Sequence, residues 1–333
     1  MNSKLNKKNP LVSIITVTFN LIKNNRVETF KQCVESVKSQ SYKNIEHLVV
    51  DGDSTDGTKL LLEKYKKQGF IKFISEPDKG IYEAMNKGIT LSKGKYVTFL
   101  NSDDYYHDNN GVDASIAKLE ESGAIFSYAP VLMVPEKGTL LYENHPHLNP
   151  KIKNVYCTMP FCHQTMFVRR DKIISEGKFD KSFKSSGDYD LVLRLCLKNH
   201  KSVFVQKKFV TFRFGGLSDK NQRQSVEEVS NAYYKNFKKI CIISKRECEQ
   251  IYCNGYEAIP LNLGLALKTN QYFDYNLYLK KLEGSRKKLC NLRALYRNCK
   301  EELKKINDSK FWKVMMFFKK IYKFFELKNA KNK

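Results

Sequence analysis

The sequence predicts an α/β protein with a mainly parallel sheet and a helical extension at its carboxyl end. Two observations carry this prediction. Apolar, β-branched runs of strand length alternate with amphipathic helical stretches through the first hundred residues, a pattern typical of βαβ units. After Gly216 glycine becomes scarce, and Lys, Glu, Tyr and Leu recur at helical spacing.

The predicted elements follow one another at short intervals. In order, we predict a strand over 12–19, a helix around 30–37, a strand over 45–50, a helix from 60, a strand over 71–75, a helix over 82–91 and a strand over 96–100. Between 112 and 210 the pattern is mixed, with strand-like runs at 125–128, 165–168 and 202–205 and one clear helix at 189–197. We therefore expect a polar segment over 1–10, an α/β domain over 11–218 and a helical extension over 219–333.

Length and composition fit one large domain with an appendage. The 333 residues are 41% hydrophobic and carry a formal net charge of +24, which suits nucleic acid, anionic lipid or phosphorylated ligands without separating them. The nine cysteines show no Cys-x-x-Cys spacing, so we expect reduced cytosolic thiols rather than a zinc site. No run approaches the roughly 20 apolar residues of a membrane span, and a soluble or peripheral protein is expected.

The strand predicted over 96–100 ends abruptly in the polar run Asn101-Ser102-Asp103-Asp104. Buried carboxylates cost several kcal/mol unless something positive compensates them, so an acidic pair at this place suggests a bound cation. The carboxyl end of a strand is also where an open α/β sheet presents its chemistry. A helix N-cap or a solvated turn has the same composition and remains the alternative.

Two more polar loops follow strand-like runs. The loop 51–58 opens a helix but carries three Asp, which repel phosphate and suit a base N–H or a ribose hydroxyl instead; a plain Asx turn is the alternative. The turn 76–80 places Lys79 beside Asp78. A solvated turn has the same composition and is the alternative. Because right-handed crossovers bring strand ends to one edge, we expect Asn20 and these loops to converge with 101–104.

Four segments in this order resemble glycosyltransferase family 2 enzymes of the GT-A fold, namely 12–20, 49–58, 78–88 and 94–104. The resemblance extends over residues 10–215. It implies a Rossmann-like sheet with a nucleotide-sugar donor lying across the strand ends. It also implies a transfer that inverts the anomeric carbon.

The resemblance assigns the donor site to the strand ends. The nucleotide-sugar-binding residues that it implies are Thr18, Phe19, Asp51, Asp53, Asp78, Lys79, Asn101, Ser102 and Asp103. Segment 101–104 occupies the position of the family's DxD motif, so Asp103 and Asp104 are assigned to Mn²⁺ or Mg²⁺ bridging the donor's diphosphate. Because Asn101 replaces the first acid of that motif, weaker metal binding is expected.

The resemblance also assigns the general base. Asp188 aligns with the Asp that takes the acceptor hydroxyl proton, whereas Gly187 stands where the family often has Glu. An N-cap acid favoured by the helix dipole is the structural alternative. On the acceptor or diphosphate side we place His163, Gln164, Arg194 and Arg213. Each of these also has an ordinary structural explanation, such as a surface ion pair for Arg194.

The final segment, 310–333, carries eight Lys and a single acid. One helical face of it would present Phe311, Met315, Phe318, Tyr322 and Phe325. An aromatic face with a cationic flank suits an interfacial helix on anionic lipid. A helix packed against its own domain or a partner would carry the same face.

These observations predict an inverting, metal-dependent hexosyl- or N-acetylhexosaminyltransferase. We expect a UDP-sugar donor, a glycan or lipid-linked acceptor, and a role in surface polysaccharide, capsule, lipopolysaccharide or lipo-oligosaccharide synthesis. The expected location is the cytoplasmic face of the membrane, with self-association through the helical extension. A catalytically weak nucleotide-sugar-binding scaffold, a nucleotidyltransferase and a nucleic-acid-binding protein stay open, although no nucleic-acid reader motif supports the last.

Overall fold

A computed structural model describes residues 9–135, 150–215 and 222–308, together with the pair 315–316. The ten strands are β1 (Val12–Thr18), β2 (Ile45–Asp51), β3 (Lys72–Ser75), β4 (Tyr96–Phe99), β5 (Tyr105–Tyr106), β6 (Phe126–Tyr128), β7 (Leu132–Val134), β8 (Phe167–Arg169), β9 (Ser202–Phe204) and β10 (Val210–Arg213). The ten helices are α1 (Val27–Lys38), α2 (Thr58–Lys67), α3 (Ile81–Leu91), α4 (Gly111–Ser122), α5 (Arg170–Ser175), α6 (Gly187–Leu197), α7 (Gln222–Phe237), α8 (Lys245–Asn254), α9 (Leu261–Ala266) and α10 (Tyr275–Asp308). Both counts refer to these described ranges.

Seven strands form the central sheet in the order β3-β2-β1-β4-β8-β6-β9. The first four of these are parallel to one another, β8 runs antiparallel to both neighbours, and β6 pairs with β9 in parallel. The sheet is therefore mainly parallel and flanked by helices, as predicted. In the register of the sheet Thr18 pairs with Asp51, and Asp51 pairs with Ser75. This places three polar strand ends side by side at one edge.

The helices pack on the sheet through the apolar positions that the sequence pattern indicated. In α1 the residues Phe30, Cys33, Val34 and Val37 are buried, at three- and four-residue spacing. Helix α3 approaches β1 so closely that a Cβ on Gly88 would lie 2.5 Å from the Ile15 side chain. Glycine at this position lets α3, which follows the 76–80 turn, lie directly against the sheet.

Several elements were not predicted from the sequence. Helices α4 and α5 lie in the stretch described as mixed, although α4 buries Val112, Ile116 and Leu119 at helical spacing. A second, small sheet has the order β5-β10-β7. Its strands are two to four residues long, too short for an alternating pattern to appear in the sequence. Helix α6 begins at Gly187, two residues before the predicted start.

The domain boundary predicted at 218/219 is not where the structure divides. The described residues up to Tyr275 form one compact unit, and the described residues from Asn276 form a second. The reason is that α7, counted with the extension, packs on α6. The hydroxyl oxygens of Tyr189 and Tyr233 lie 2.7 Å apart, and the Asn236 amide donates to Asp190 Oδ1 at 2.8 Å. Helix α7 is therefore part of the unit that contains the sheet.

Helical structure continues through the extension as predicted, up to the end of α10. Among the described residues, none of the helices has the length and apolar character needed to cross a bilayer. The aromatic face predicted for 311–325 lies outside the described residues, apart from Met315.

Candidate active site

Asp51 lies at the end of β2 and is fully buried. Its Oδ1 accepts hydrogen bonds from the hydroxyls of Thr18 (3.1 Å) and Ser54 (2.5 Å), and its Oδ2 accepts from the Ser54 amide (2.9 Å) and the Ser75 hydroxyl (2.7 Å). Four bonds use the acceptor capacity of a carboxylate. This carboxylate joins three strand ends, and the assignment of Asp51 to the base and ribose stays a prediction.

The loop after β2 is fixed to the end of β1 by Asn20. The Asn20 amide donates to Ser54 Oγ at 2.7 Å, and the Thr55 amide donates to Asn20 Oδ1 at 3.1 Å. The amide of Glu76 donates to the Asp51 carbonyl at 3.0 Å. Three of the loops expected to converge are thus in direct contact.

The side chains of Phe19 and Asp78 both lie close against Gly52. A Cβ on Gly52 would lie 2.7 Å from Asp78 Oδ2 and 3.2 Å from the Phe19 ring. Phe19 is 59% exposed, which is unusual for an aromatic side chain unless it has a partner. Burial raises the pKa of Asp78 above its ordinary value. A flat polar ring bound at this place would contact both the Phe19 ring and the Asp78 carboxyl group.

Two further residues assigned to the nucleotide, Asp53 and Lys79, lie in the same loops. Asp53 adopts a left-handed conformation with φ 64° and forms an ion pair with Lys59. Lys79 is exposed, and its amide donates to Glu83 at 3.1 Å. Its ammonium group is therefore available to solvent and ligands next to Asp78.

The two acids of the polar run after β4 differ in exposure, since Asp104 is more deeply buried than Asp103. Asp104 is 1% exposed and accepts bonds from the Gln164 side chain and the Arg213 amide, both at 2.8 Å. Burial, reinforced by neighbouring Asp103, raises the pKa of Asp104 well above its ordinary value. Asp104 is thus buried and held by two hydrogen bonds, and its assignment as a metal ligand stays a prediction.

Asp103 remains at the surface of the site, with a side chain 16% exposed and paired to the Arg26 guanidinium. Arg213 lies above the Tyr105 ring and donates to the Asp103 carbonyl. The buried Asn101 Oδ1 has no hydrogen-bond partner among the described residues. The structure thus brings two guanidinium groups, a carboxylate and an unsatisfied amide oxygen to the end of β4. Ser102 lies between them and is buried.

Asp188 occupies the first turn of α6, and its side chain is 19% exposed. His163 Nδ1 lies 3.0 Å from Asp188 Oδ2, while Oδ1 accepts from the Tyr189 amide (2.9 Å) and the Tyr82 hydroxyl (3.3 Å). Burial acts to raise the pKa of Asp188, but the hydrogen bond and charge of His163, with the Tyr189 and Tyr82 bonds, lower it below its ordinary value. Asp188 is thus held as a carboxylate, with one lone pair of Oδ2 still open.

Residues 163 and 164 connect the two acidic centres. They lie in the 3₁₀ turn His163–Thr165, from which His163 reaches Asp188 and Gln164 reaches Asp104. Their adjacency in the sequence therefore fixes the spacing between the α6 carboxylate and the end of β4. Their predicted role on the acceptor or diphosphate side stays a prediction.

Arg194 does not join this group. Its Nε donates to buried Asp190 at 2.8 Å, and its terminal nitrogens donate to the carbonyls of Glu176 and Lys178, the latter at 2.6 Å. These contacts occupy the guanidinium within the α5–α6 region. The structure therefore does not bring Arg194 to the strand-end residues, and its contact with the diphosphate or acceptor stays a prediction.

The residues that could hold a divalent cation are oxygen donors. No group of three or more His, Cys, Asp or Glu side chains within the described ranges could bind a metal by itself. Mg²⁺ typically takes one or two carboxylates and completes its shell with substrate phosphates and water. The Asp103 carboxylate and the unpartnered Asn101 oxygen fit that pattern, as a site that is completed only with a phosphorylated ligand.

Comparison with known proteins agrees with this arrangement. A model of "Glycosyl transferase family 2" matches residues 13–177. The Escherichia coli protein UDP-Glc:alpha-D-GlcNAc-diphosphoundecaprenol beta-1,3-glucosyltransferase WfaP is 32% identical over 196 residues, which cover 58% of this chain and 72% of that enzyme. The chain belongs to glycosyltransferase family 2.

Other similar proteins are longer or more distant. Chondroitin synthase of Escherichia coli is 31% identical over 194 residues, but the match covers 57% of this chain and only 27% of that enzyme. The structure of S. aureus TarS 1–349 in complex with UDP-GlcNAc has a TM-score of 0.54 at 19% identity, covering 77% of this chain and 79% of TarS. The Pyrobaculum calidifontis mannosyltransferase PcManGT, in complex with GDP-Man and Mn²⁺, has a TM-score of 0.55 at 13% identity, covering 93% and 84%. These likenesses establish the GT-A fold.

Three residues that contact the site were not assigned a role from the sequence. Arg26 precedes α1 without any motif, and its contact with Asp103 spans 77 positions of the chain. Tyr82 contacts Asp188 from α3 because Gly187 makes room for it, since a Cβ on Gly187 would lie 2.8 Å from the Tyr82 ring. Glu228 of α7 accepts bonds from the amides of residues 184–186, just before α6. One feature of the sequence hinted at the contact between Tyr82 and Asp188: Gly187 stands where the family often has Glu.

Proposed function

We propose that the chain transfers a sugar from a nucleotide-diphosphate sugar, preferably a UDP-sugar, to a hydroxyl of a glycan or lipid-linked acceptor, with inversion. The observation that carries this proposal is the geometry of Asp188. Its carboxylate is partly exposed, ionised by its surroundings, and linked through residues 163 and 164 to the acidic end of β4. A single displacement requires a base and a diphosphate site that are held in a fixed position relative to each other.

The proposed reaction is one displacement. Asp188 Oδ2 takes the proton of the acceptor hydroxyl, and that oxygen forms a bond to the anomeric carbon as the bond from this carbon to the diphosphate oxygen breaks. The nucleoside diphosphate leaves with the electron pair. His163 orients Asp188 and leaves one lone pair of Oδ2 free for the incoming proton.

The donor is proposed to lie across the strand ends. The exposed Phe19 ring, Gly52 and Asp78 would hold the base, Thr18 and Asp53 line the loop beside it, and Lys79 would meet ribose or phosphate. Arg26 and Arg213 would neutralise the diphosphate from the end of β4. UDP-GlcNAc in TarS and the UDP-Glc in the name of WfaP support a UDP-sugar.

We further propose Mn²⁺ or Mg²⁺ as cofactor, held by Asp103 and the Asn101 oxygen. When bound, the cation neutralises the charge that develops on the leaving diphosphate. The PcManGT complex with Mn²⁺ supports this assignment. Because Asn101 carries no charge and Arg26 already faces Asp103, the two arginines share the neutralisation with the metal.

The place in metabolism is proposed from relatives. WfaP is named for a diphosphoundecaprenol acceptor, and chondroitin synthase for a polysaccharide. These names support a hexosyl or N-acetylhexosaminyl transfer in surface polysaccharide or lipo-oligosaccharide synthesis, including capsule and lipopolysaccharide. We further propose that the chain works at the cytoplasmic face of a membrane, to which the basic segment 310–333 would add affinity.

Nucleotide binding and base function are tested separately. A thermal-shift screen of UDP-, GDP- and dTDP-sugars with Mn²⁺ should give the largest stabilisation with a UDP-sugar. Asp188→Asn should lower donor turnover by about 10²-fold or more while UDP affinity stays near that of the parent chain. Near-normal turnover of Asp188→Asn would exclude the proposed base. UDP binding without turnover in the parent chain would favour the scaffold alternative.

A further inference from the structure

Helix α10 carries a row of apolar side chains that the described part of the chain does not cover. Leu289, Leu292, Leu295 and Tyr296 are 48%, 61%, 59% and 69% exposed. Positions 289, 292, 296 and 299 follow at steps of three and four, so they share one helical face, and Leu295 widens it. We call Leu289, Leu292, Leu295, Tyr296 and exposed Cys299 the apolar row. Contiguous apolar surface of this kind marks an interaction site.

A second row of charged side chains flanks the apolar row. Residues 284–300 include six Lys or Arg and no acid. Arg286, Arg293, Arg297 and Lys300 are all exposed and follow at steps of seven, four and three. They therefore share a face beside the apolar row and form what we call the basic row. The partner of this surface must accept apolar and cationic groups together.

A second copy of the chain does not satisfy this requirement. The spacing of the apolar row fits a coiled-coil seam, with Leu289 and Leu292 at its a and d positions. In that register the flanking g and e positions of a parallel pair would bring Lys288 of one copy against Arg293 of the other. Such pairs normally carry opposite charges and set partner choice. The basic row thus opposes self-pairing.

We propose that this face of α10 lies in the interface of an anionic bilayer. The apolar row enters the boundary between headgroups and acyl chains, and the basic row contacts the lipid phosphates. This surface is separate from the segment 310–333, and its lipid binding does not depend on the transferase reaction. It would hold the enzyme at a membrane that carries a lipid-linked acceptor.

Vesicle flotation with the full chain tests the proposal. The parent chain should bind vesicles of phosphatidylcholine mixed with phosphatidylglycerol far better than phosphatidylcholine alone. Leu292→Glu/Tyr296→Glu should lower partitioning by about tenfold or more. The matched control, Asn291→Glu/Asn298→Glu, adds the same charge on the other side of the helix and should retain most of the binding. Circular dichroism of all three proteins checks that helicity is equal.

Three outcomes would overturn the proposal. Equal losses in the two double variants would mean that net charge or another segment binds the lipid. Equal binding to neutral and anionic vesicles would exclude the role of the basic row. Copper-catalysed disulfide cross-linking without lipid that depends on Cys299 but not on Cys290 would show that a second copy covers the face. UDP affinity of the same variants reports on the proposed transferase function separately.

Discussion

Glu228 of α7 is expected to support the catalytic helix although it lies outside every family motif. Its Oε2 accepts from the amides of Ser185 (2.8 Å) and Ser186 (2.9 Å) and from the Ser185 hydroxyl (3.0 Å), while its Oε1 accepts from the Lys184 amide (2.9 Å). Ser186 is the N-cap residue of α6, two positions before Asp188. Three consecutive amides at the entrance of this helix thus depend on one buried carboxylate.

The substitution Glu228→Gln has a predictable cost. The amide oxygen of Gln can replace only one carboxylate oxygen, so the best arrangement leaves the Lys184 amide facing an NH₂ group. A buried donor left unsatisfied costs about 1–3 kcal/mol, and bonds that lose a charged acceptor weaken further. We expect the free energy of unfolding to fall by about 2–4 kcal/mol. Donor turnover should fall as well, with UDP affinity preserved, because the segment that positions Asp188 at the start of α6 is no longer fully held.

Urea unfolding and donor turnover are the assays, and the neighbouring Glu227→Gln is the control. Glu227 is exposed on the same helix and loses the same charge, so its free energy of unfolding should change by less than about 0.5 kcal/mol. Equal stability of the two variants would refute the reasoning.

The pH dependence gives a second check on Glu228. Burial acts to raise the pKa of Glu228, but the amide bonds outweigh it and lower the pKa below its ordinary value. Its stabilisation is therefore fully present above the ordinary carboxyl range and is lost as the pH falls through the lowered pKa. The difference in stability between the parent chain and Glu228→Gln should shrink on acidification. A difference that grows at low pH would contradict this account.

Three further predictions concern backbone space and charge. Gly187→Ala places a methyl group 2.8 Å from the Tyr82 ring, so it should lower the free energy of unfolding in urea by about 1–3 kcal/mol and reduce turnover. Unchanged turnover would show that the contact of Tyr82 with Asp188 does not affect activity. Gly94→Ala brings a Cβ within 2.6 Å of the Ser13 backbone nitrogen, which cannot rotate away, so a loss of stability of about 3 kcal/mol or more is expected, and a normal melting temperature would contradict it. Asn101→Asp adds a charge beside Asp103, so calorimetric titration of Mn²⁺ in the presence of UDP should show tighter binding; unchanged affinity would remove Asn101 from the metal site.

The sequence alone determined the order of strands and helices from β1 to β4, and it predicted that the loops after these strands meet at one edge. Strand-length runs ending in polar residues give a parallel sheet whose loops meet at one edge, because right-handed crossovers leave no other arrangement. The contacts of Asn20 with the loop after β2 follow from that rule. Asp188 was located at the start of a helix because apolar periodicity begins there, and the structure moved that start by two residues.

The tertiary structure decided which of the predicted groups are free to act. Asp51 and Asp104 both looked like ligand carboxylates, but both are buried. Asp51 accepts four hydrogen bonds, and Asp104 accepts one on each oxygen from residues 60 and 109 positions away in the sequence. Conversely, Arg26 and Glu228 carry no local signal, yet one faces Asp103 and the other holds the α6 entrance. Periodicity reports which face of an element is buried, whereas the hydrogen bonds of a carboxylate depend on residues that only folding brings together.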